Sequence, residues 1–286
     1  MQNLRQIIQN MESGVAMGHF NFSTLDGLWA IFYAARELNV PVLVGVSEGE
    51  RDFVGVRQAA LLVKSIREQF DYPIFLNADH THSLEKIKEA VGVGYDAVLF
   101  DGSKLSLEDN ILKTKEVVEW VRSKNPDCVV EGEMGYIGTS SEILEEVPEG
   151  VAFKDEDLTK PEDAARFVKE TGVDLFAPAV GNIHGMISSG EPALNILRIS
   201  EIKKAVGVPL VLHGASGNSD SDLRAAINAR ISMVHINTEI RLAWRRGLEK
   251  FLEKDKREVA PYKILEGTRE GVRKVVMEKL KLFSRA

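Results

Sequence analysis

Residues 74–102 read IFLNADHTHSLEKIKEAVGVGYDAVLFDG and contain the pattern that the rest of the chain repeats. An apolar run at 74–80 is followed by apolar residues at helical spacing from Ser83 to Val91, and then by a second apolar run at 97–102. Runs that are apolar almost without interruption are typical of parallel strands covered on both faces. The stretch therefore predicts a strand, a helix and a further parallel strand.

The same strand–helix unit recurs along the whole chain. Strands are predicted at 15–21, 41–47, 74–80, 97–102, 129–134, 175–181, 209–213 and 233–239. Helices are predicted from Leu25 to Leu38, Phe53 to Phe70, Ser83 to Val91, Glu108 to Ser123, Pro161 to Thr171 and Ala193 to Val206, with two more at 240–254 and 265–283. Eight strands with no Pro/Ser-rich linker favour a closed barrel over an open doubly wound sheet. We expect a single (β/α)8 TIM-barrel domain over residues 1–286, with extra C-terminal helices.

One long segment breaks the repeat. From Tyr136 to Leu158 the sequence is polar and lacks periodicity, so we expect a loop after the fifth strand. Long loops of this kind in barrels often cover the active site.

Composition excludes several classes of protein. The net charge is −7, from 43 acidic and 36 basic residues, which argues against non-specific nucleic-acid binding. Cys128 is the single cysteine, so no intramolecular disulfide can form. The sequence has no apolar run near the roughly 20 residues that cross a bilayer, and its first ten residues do not resemble a signal peptide. We expect a cytoplasmic protein that does not span a membrane.

Polar side chains stand at nearly every predicted strand end, where barrel enzymes place their active sites. In chain order these residues are Asn21, Ser47, Asp79, His80, Asp101, Glu133, His184, His213 and His235. Four of the six histidines belong to this set. Such an accumulation at one end of the barrel predicts a catalytic site there.

Three histidines from three different strands could converge on one metal ion. His80, His184 and His213 would supply three ligands and leave a fourth position open, as catalytic zinc sites do. Asp79 could act as general acid/base beside the metal, or could serve to cap a helix or orient a ligand. Because neighbours on a regular strand face opposite ways, Asp79 and His80 can share the site only if the strand ends there.

Carboxylates and glycines extend this site. Glu131 and Glu133 would share one face of their strand, either as metal partners or in a structural ion pair. The HGASG run at 213–217 places bare backbone amides after a strand, where they could bind a phosphate, although it could also be an ordinary turn. Arg241 could face a second phosphate or simply be solvated.

Six motifs together resemble those of the class II fructose-bisphosphate and tagatose-bisphosphate aldolases. They are NADH at 77–80, FDGS at 100–103, VEGEMG at 130–135, GNIHG at 181–185, LHGASG at 212–217 and INTEIRLAW at 236–244. The resemblance implies reversible cleavage of fructose 1,6-bisphosphate to dihydroxyacetone phosphate and glyceraldehyde 3-phosphate through a zinc-stabilised enediolate. Tagatose 1,6-bisphosphate or a related ketose phosphate is the alternative substrate. A homodimer or homotetramer and, besides zinc, a monovalent cation are also consistent with this family.

The resemblance also implies roles for individual residues. His80, His184 and His213 would bind zinc, Glu133 would be an inner or alternate metal partner, and Asp79 would exchange a proton with the hydroxyl on carbon 4. The dihydroxyacetone-phosphate end would be held by Gly185, Gly214, Ser216, Asn237 and Thr238. Asn21, Ser47 and Asp101 would line the pocket, and Arg241 would meet the phosphate at the aldehyde end.

The chain departs from the family at three places. The family's glutamate base in the loop after the fifth strand aligns with Ser141, and Glu142 is the carboxylate that would replace it. His235 stands where the family commonly has an asparagine that positions the ketone side. Ser188 replaces a lysine.

Other functions stay open at this point. A metal-dependent barrel hydrolase would typically need an H-x-H motif at the first strand, where this chain reads His19-Phe20-Asn21. A Schiff-base aldolase would need a lysine near a strand end, and Lys104 is the only one close to such a position. A non-catalytic barrel that binds sugar phosphates is the third alternative.

Overall fold

The computed structural model describes residues 2–139 and 142–284, and its centre is a closed barrel of eight parallel strands. In chain order the strands are β1 (Met17–Asn21), β2 (Val42–Val46), β3 (Ile74–Thr81), β4 (Ala97–Phe100), β5 (Val129–Met134), β6 (Ile143–Leu144), β7 (Leu175–Pro178), β8 (Met186–Ile187), β9 (Leu210–Leu212) and β10 (Ile231–Ile236). The barrel order is β1-β10-β9-β7-β5-β4-β3-β2, and β6 and β8 form a separate two-stranded ladder. The predicted TIM barrel is confirmed.

Helices surround the barrel. They are α1 (Leu4–Gln9), α2 (Leu25–Leu38), α3 (Glu48–Val54), α4 (Val56–Phe70), α5 (Leu84–Gly92), α6 (Leu107–Lys124), α7 (Pro161–Thr171), α8 (Ile196–Ala205), α9 (Asp220–Asn228), α10 (Thr238–Lys254), α11 (Pro261–Ile264) and α12 (Glu266–Ser284). The bounds of α2 and α7 agree with the sequence prediction. The helix predicted from Phe53 to Phe70 is wrong in its start, because Gly55, at φ +92°, separates α3 from α4.

The first helix closes the amino-terminal end of the barrel. Leu4 and Ile8 of α1 pack against inward side chains of the strands, including Met17, Leu43 and Phe75. This buried inner cluster fills the amino-terminal part of the barrel interior, so we expect the site at the carboxyl ends of the strands.

The C-terminal helices pack against the start of the chain. Asp26 of α2 accepts hydrogen bonds from Trp244 Nε1 at 2.8 Å and from Thr268 Oγ1 at 2.6 Å. At the end of α12, the carbonyl of Phe283 accepts the amide N–H of Ala16 at 3.0 Å, next to β1. These bonds fix α10 and α12 beside the β10–β1 side of the barrel.

The long loop after β5 contains the β6 part of the small ladder. Ile143 pairs with Met186 and Leu144 with Ile187, which joins this loop to the one that carries His184. Within the described parts of the chain, none of the helices combines the length and apolarity needed to cross a membrane.

Candidate active site

A pocket of about 360 Å³ lies at the carboxyl ends of the strands. Its lining includes fourteen of the residues predicted for the site: Asn21, Ser47, Asp79, His80, Asp101, His184, Gly185, His213, Gly214, Ser216, His235, Asn237, Thr238 and Arg241. Glu133 lies below the pocket floor, with its Oε2 3.4 Å from His80 Nδ1. Glu142 is exposed and does not line the pocket. Lys104 is also outside the lining, which gives no support to a Schiff base.

The three predicted metal ligands converge at the mouth of the barrel. One ring nitrogen from each of His80, His184 and His213 lies within 4.8 Å of the others. The ring centroids are 4.7 Å apart for His80 and His184, and 4.8 Å apart for His80 and His213. A single metal ion could therefore contact all three imidazoles.

A hydrogen-bond partner orients each of these imidazoles. His184 Nδ1 donates to the carbonyl oxygen of Gly138 at 2.7 Å, and His80 Nδ1 lies 2.9 Å from Asp101 Oδ2. His213 Nε2 lies 2.7 Å from Glu131 Oε1. Such bonds hold the remaining nitrogen of each ring toward a metal position, as is usual for histidine ligands.

The charges of the site fit a divalent cation. Burial lowers the pKa of His184 and of His213 to about 3, so both rings are neutral and keep a lone pair for a metal. Burial also opposes charge on His80, but Asp79 and Glu133 raise its pKa well above the usual value. Two neutral imidazoles and a third imidazole held among buried carboxylates form a donor set that suits a catalytic metal ion, which would take the place of the proton on His80.

Asp79 and His80 both reach the site because β3 is irregular, not because it ends. The strand continues to Thr81, which corrects the expectation that it stops at His80. The pairing register with β4 shifts between Ala78 and Thr81, and His80 has φ +36°. A positive φ in a residue other than glycine is uncommon and is often found at functional sites. This local turn of the backbone brings two consecutive side chains to one face.

The carboxylate of Asp79 is buried and ionised. Although burial by itself would raise its pKa, His80 and His19 lower it below the usual range. Asn21 Nδ2 donates to Asp79 Oδ2 at 2.9 Å. The other oxygen, Oδ1, lies 3.7 Å from His235 Nδ1 and has no hydrogen bond among the described residues. Asp79 is thus a charged acceptor with one oxygen available.

Two further carboxyl groups lie deeper in the barrel. Glu131 and Glu133 share the inner face of β5, as the sequence indicates, and each is 2% exposed. Burial raises the pKa of Glu131 to about 8 and that of Glu133 well above its usual value. Each contacts a different histidine of the metal set, so the two carboxyl groups can orient these ligands from below.

His19 is a site residue that the strand-end pattern did not select. Its ring stacks on that of His235, with centroids 3.6 Å apart and planes inclined by 12°. His235 in turn lies 3.9 Å from His213. Gly45 makes room for His19, because a Cβ there would lie 2.4 Å from His19 Cε1. The period-2 relation of His19 to Asn21 could have identified it, since both face the barrel interior.

The loops that were predicted to bind phosphate contact each other where they line the pocket. Gly214 has φ +57°, and a Cβ there would lie 2.5 Å from the carbonyl oxygen of Ile183, so the two loops touch. Ser216 Oγ accepts the amide N–H groups of Asn237 at 3.2 Å and Glu239 at 3.3 Å. The loops after β9 and β10 are therefore bound to each other beside the metal position.

Two residues predicted at the aldehyde end of the pocket, Asn21 and Arg241, both form hydrogen bonds with the same carboxylate. Arg241 Nη2 donates to Glu50 Oε1 at 2.6 Å, and Asn21 Nδ2 donates to Glu50 Oε2 at 2.8 Å. Glu50 was not predicted as a site residue.

Three residues in the loops after β5 and β7 mark where the chain departs from the family: Ser141, Glu142 and Ser188. Ser141, which aligns with the family's glutamate, lies outside the described residues. The backbone carbonyl of Glu142 accepts the amide N–H of Met186 at 3.1 Å, two residues beyond His184. The amide N–H of Ser188 donates to the carbonyl of Leu144 at 2.8 Å in the same ladder.

Comparison with known proteins agrees with this geometry. The family model described as "Fructose-bisphosphate aldolase class-II" matches residues 2–286. The fructose-bisphosphate aldolase of Staphylococcus aureus (strain Mu50 / ATCC 700699) is 34% identical over 280 residues, covering 97% of this chain and 94% of that protein. That of Geobacillus stearothermophilus is 34% identical over 271 residues, covering 94% and 91%.

Among solved structures, the crystal structure of the YdjI aldolase from Escherichia coli K12 is similar, with a TM-score of 0.83 and 28% identity. The match covers 99% of this chain and 97% of that one. Sequence, fold and site thus agree, and the chain belongs to the class II fructose-bisphosphate aldolase family.

Proposed function

We propose that this protein is a metal-dependent lyase that reversibly cleaves fructose 1,6-bisphosphate to dihydroxyacetone phosphate and glyceraldehyde 3-phosphate. The observation that carries the proposal is the convergence of three imidazoles beside an ionised Asp79, at the floor of a pocket open to solvent. Tagatose 1,6-bisphosphate is the alternative substrate, since it differs only in the direction of one hydroxyl.

The cleavage breaks the bond between carbons 3 and 4. Asp79 Oδ1, which has no hydrogen-bond partner among the described residues, would accept the proton of the carbon 4 hydroxyl as that carbon becomes an aldehyde. The electron pair stays on carbon 3 and is shared with the ketone oxygen. A divalent ion held by His80, His184 and His213 would polarise the ketone and its neighbouring hydroxyl.

The orientation of the substrate follows from the two ends of the pocket. The loops with Gly185, Gly214 and Ser216 would hold the phosphate of the dihydroxyacetone half, near the metal position. The aldehyde half would then extend past Asp79 toward Asn21 and Ser47. In this pose the reacting hydroxyl comes next to Asp79.

The remaining parts of the proposal follow from the family. We infer that zinc is the metal, because three histidines with an open position are typical of catalytic zinc, with Glu133 as an alternate partner. A monovalent cation beside the substrate phosphate, a cytoplasmic location, a homodimer or homotetramer and a single domain over residues 1–286 are further proposals.

Metal content and aldehyde release test the function together. The purified protein should contain about one zinc per chain and release glyceraldehyde 3-phosphate from fructose 1,6-bisphosphate. A chelator should abolish the release, and added zinc should restore it. His184→Ala should lose most of the bound zinc and activity but keep its circular dichroism spectrum, because His184 contributes little to the apolar core.

Two other functions give different results in the same assays. A barrel hydrolase would bind the metal but release no aldehyde, and a non-catalytic sugar-phosphate binder would show neither turnover nor metal-dependent exchange. Either result contradicts the proposal.

A further inference from the structure

The carboxylate of Glu50 occupies a site built from four donors. The amide N–H of Ser47 donates to Glu50 Oε2 at 2.8 Å, and the Ser47 hydroxyl donates to the same oxygen at 3.0 Å. Asn21 Nδ2 also donates to Oε2, at 2.8 Å, and Arg241 Nη2 donates to Oε1 at 2.6 Å. Glu50 is 8% exposed, so its carboxylate is held inside the protein.

These donors come from distant parts of the chain. A helix-capping interaction would explain only the contact of Glu50 with Ser47, three residues before it. Asn21, at the end of β1, and Arg241, in the first turn of α10, converge on the same carboxylate from two other elements. An amide, a hydroxyl, a backbone N–H and a guanidinium are also the groups with which proteins commonly bind a phosphate.

The wall of the pocket around this carboxylate has an excess of negative charge. Arg241 is the only lysine or arginine among the described residues that line the pocket. Glu48, Asp79 and Asp101 are carboxylates in the same lining. Arg51 is buried behind the wall, and its guanidinium donates to the backbone oxygens of Val46 and Asp79. A second substrate phosphate would therefore meet a single cation, Arg241, which already forms an ion pair with Glu50.

We propose that Glu50 is a specificity-determining residue whose carboxylate fills the place of a second phosphate, so that the enzyme prefers ketose 1-phosphates with an uncharged far end over ketose 1,6-bisphosphates. The inference rests on the proposed function, because it concerns the aldehyde half of the same cleavage. The reaction is unchanged: the bond between carbons 3 and 4 breaks, and the aldehyde product carries a hydroxyl in place of its phosphate.

The charge on Glu50 supports this preference physically. A phosphate dianion at Arg241 would have to displace the carboxylate from its ion pair or lie next to it as a like charge, and both are unfavourable in a partly buried wall. A neutral hydroxyl has no such repulsion and can donate a hydrogen bond to a carboxylate oxygen. The preference should consequently depend on the charge of residue 50 more than on its size.

Kinetics of the zinc-loaded enzyme with two substrates test the inference. The ratio of kcat/KM for fructose 1-phosphate to kcat/KM for fructose 1,6-bisphosphate should be about 10 or more in the wild-type enzyme, a factor typical of one altered charge contact. Glu50→Gln keeps the size and removes the charge, so it should lower this ratio about tenfold. Glu48→Gln is the matched control, because it removes a carboxylate from the same wall without touching the four donors, and it should change the ratio much less.

Arg241→Ala provides a second variant that does not depend on the folding of the Glu50 variant. It leaves the carboxylate of Glu50 without its cation, so the bisphosphate should be disfavoured at least as strongly as in the wild-type enzyme. The inference is overturned if the wild-type ratio is 1 or less, if Glu50→Gln leaves the ratio unchanged or shifts it no more than Glu48→Gln does, or if Arg241→Ala lowers the ratio. Failure of the proposed function looks different: neither ketose is cleaved, and solvent protons do not exchange into dihydroxyacetone phosphate.

Discussion

Glu131 Oε1 lies 2.7 Å from His213 Nε2, and both side chains are almost completely buried. The contact fixes the ring of His213 so that its other nitrogen faces the metal position. Because partners of this kind orient a ligand and increase its basicity, we expect Glu131→Ala to weaken zinc binding by about 10- to 100-fold. Competition with a chromophoric chelator measures the change. Glu131→Gln should bind zinc more tightly than Glu131→Ala, and equal affinities in all three proteins would contradict this role.

Asp79 should affect the rate of bond cleavage more than the binding of substrate. Asp79→Ala removes the buried carboxylate that would accept the carbon 4 proton, and we expect kcat to fall by about 10²- to 10⁴-fold while KM changes far less. Steady-state kinetics with a metal analysis of the same sample would separate the two effects. An unchanged kcat in a variant with full zinc content would reassign Asp79 to a structural role.

His19 should affect catalysis through His235, because the two rings stack. His19→Ala removes the surface on which His235 stacks, and a displaced His235 would disturb the geometry beside Asp79. We expect kcat/KM to fall about 10- to 100-fold with zinc content retained. His19→Phe keeps an aromatic ring under His235 and should recover part of the loss. If His19→Ala cleaves its substrate at the wild-type rate, the stack has no part in positioning.

The barrel could be predicted from the sequence, and the reason is physical. Parallel strands covered on both faces are apolar almost throughout, so most of the barrel strands appear as nearly uninterrupted apolar runs. Helix α3 was missed because Glu48–Val54 is short and mostly polar. Helix α1 was missed because it has only six residues, too few to establish a period even though Leu4, Ile7 and Ile8 have helical spacing.

The candidate site likewise has one part that the sequence predicts and another part that only the structure shows. Ligands such as His80 and His213 stand at strand ends, so position alone selected them. The role of Glu50 depends on Arg241, which is 191 residues away in the chain, and no local pattern indicates such a contact. The irregular backbone at His80 also has no local signal, because it arises from how β3 pairs with β4.

Cys128 gives a prediction for the dependence of stability on pH. Burial raises the pKa of its thiol to about 12, whereas an unfolded cysteine has a pKa of about 8.5. Between these values the folded protein keeps the proton and the unfolded chain loses it, so the contribution to stability is complete below about pH 8.5 and is lost as the pH rises toward 12.

Urea unfolding at pH 7.5 and pH 10 measures this contribution. The wild-type protein should lose about 2 kcal/mol more between the two pH values than Cys128→Ala does, because the variant has no thiol to ionise. Using the difference between pH values removes the constant cost of the substitution. An equal loss in both proteins would show that Cys128 does not titrate differently in the folded state.

Glu142 is the proposed proton base of the second half-reaction, in which carbon 3 of dihydroxyacetone phosphate exchanges a proton. Its side chain is exposed, and its backbone is bonded to Met186 near His184, so the base role requires that the side chain turn into the pocket when substrate is bound. Catalytic contacts often form only in the complex with substrate. Glu142→Gln should therefore leave bond cleavage nearly intact and slow the exchange of this proton with solvent.

The two steps can be measured separately, with aldehyde release followed by a chemical trap and deuterium exchange followed on dihydroxyacetone phosphate alone. Glu145→Gln is the matched control, since Glu145 is a second exposed carboxylate of the same loop and should leave both rates unchanged. If Glu142→Gln exchanges at the wild-type rate, the base lies elsewhere. His235 would then be the next residue to test, because it lines the pocket and its Nε2 has no hydrogen-bond partner among the described residues.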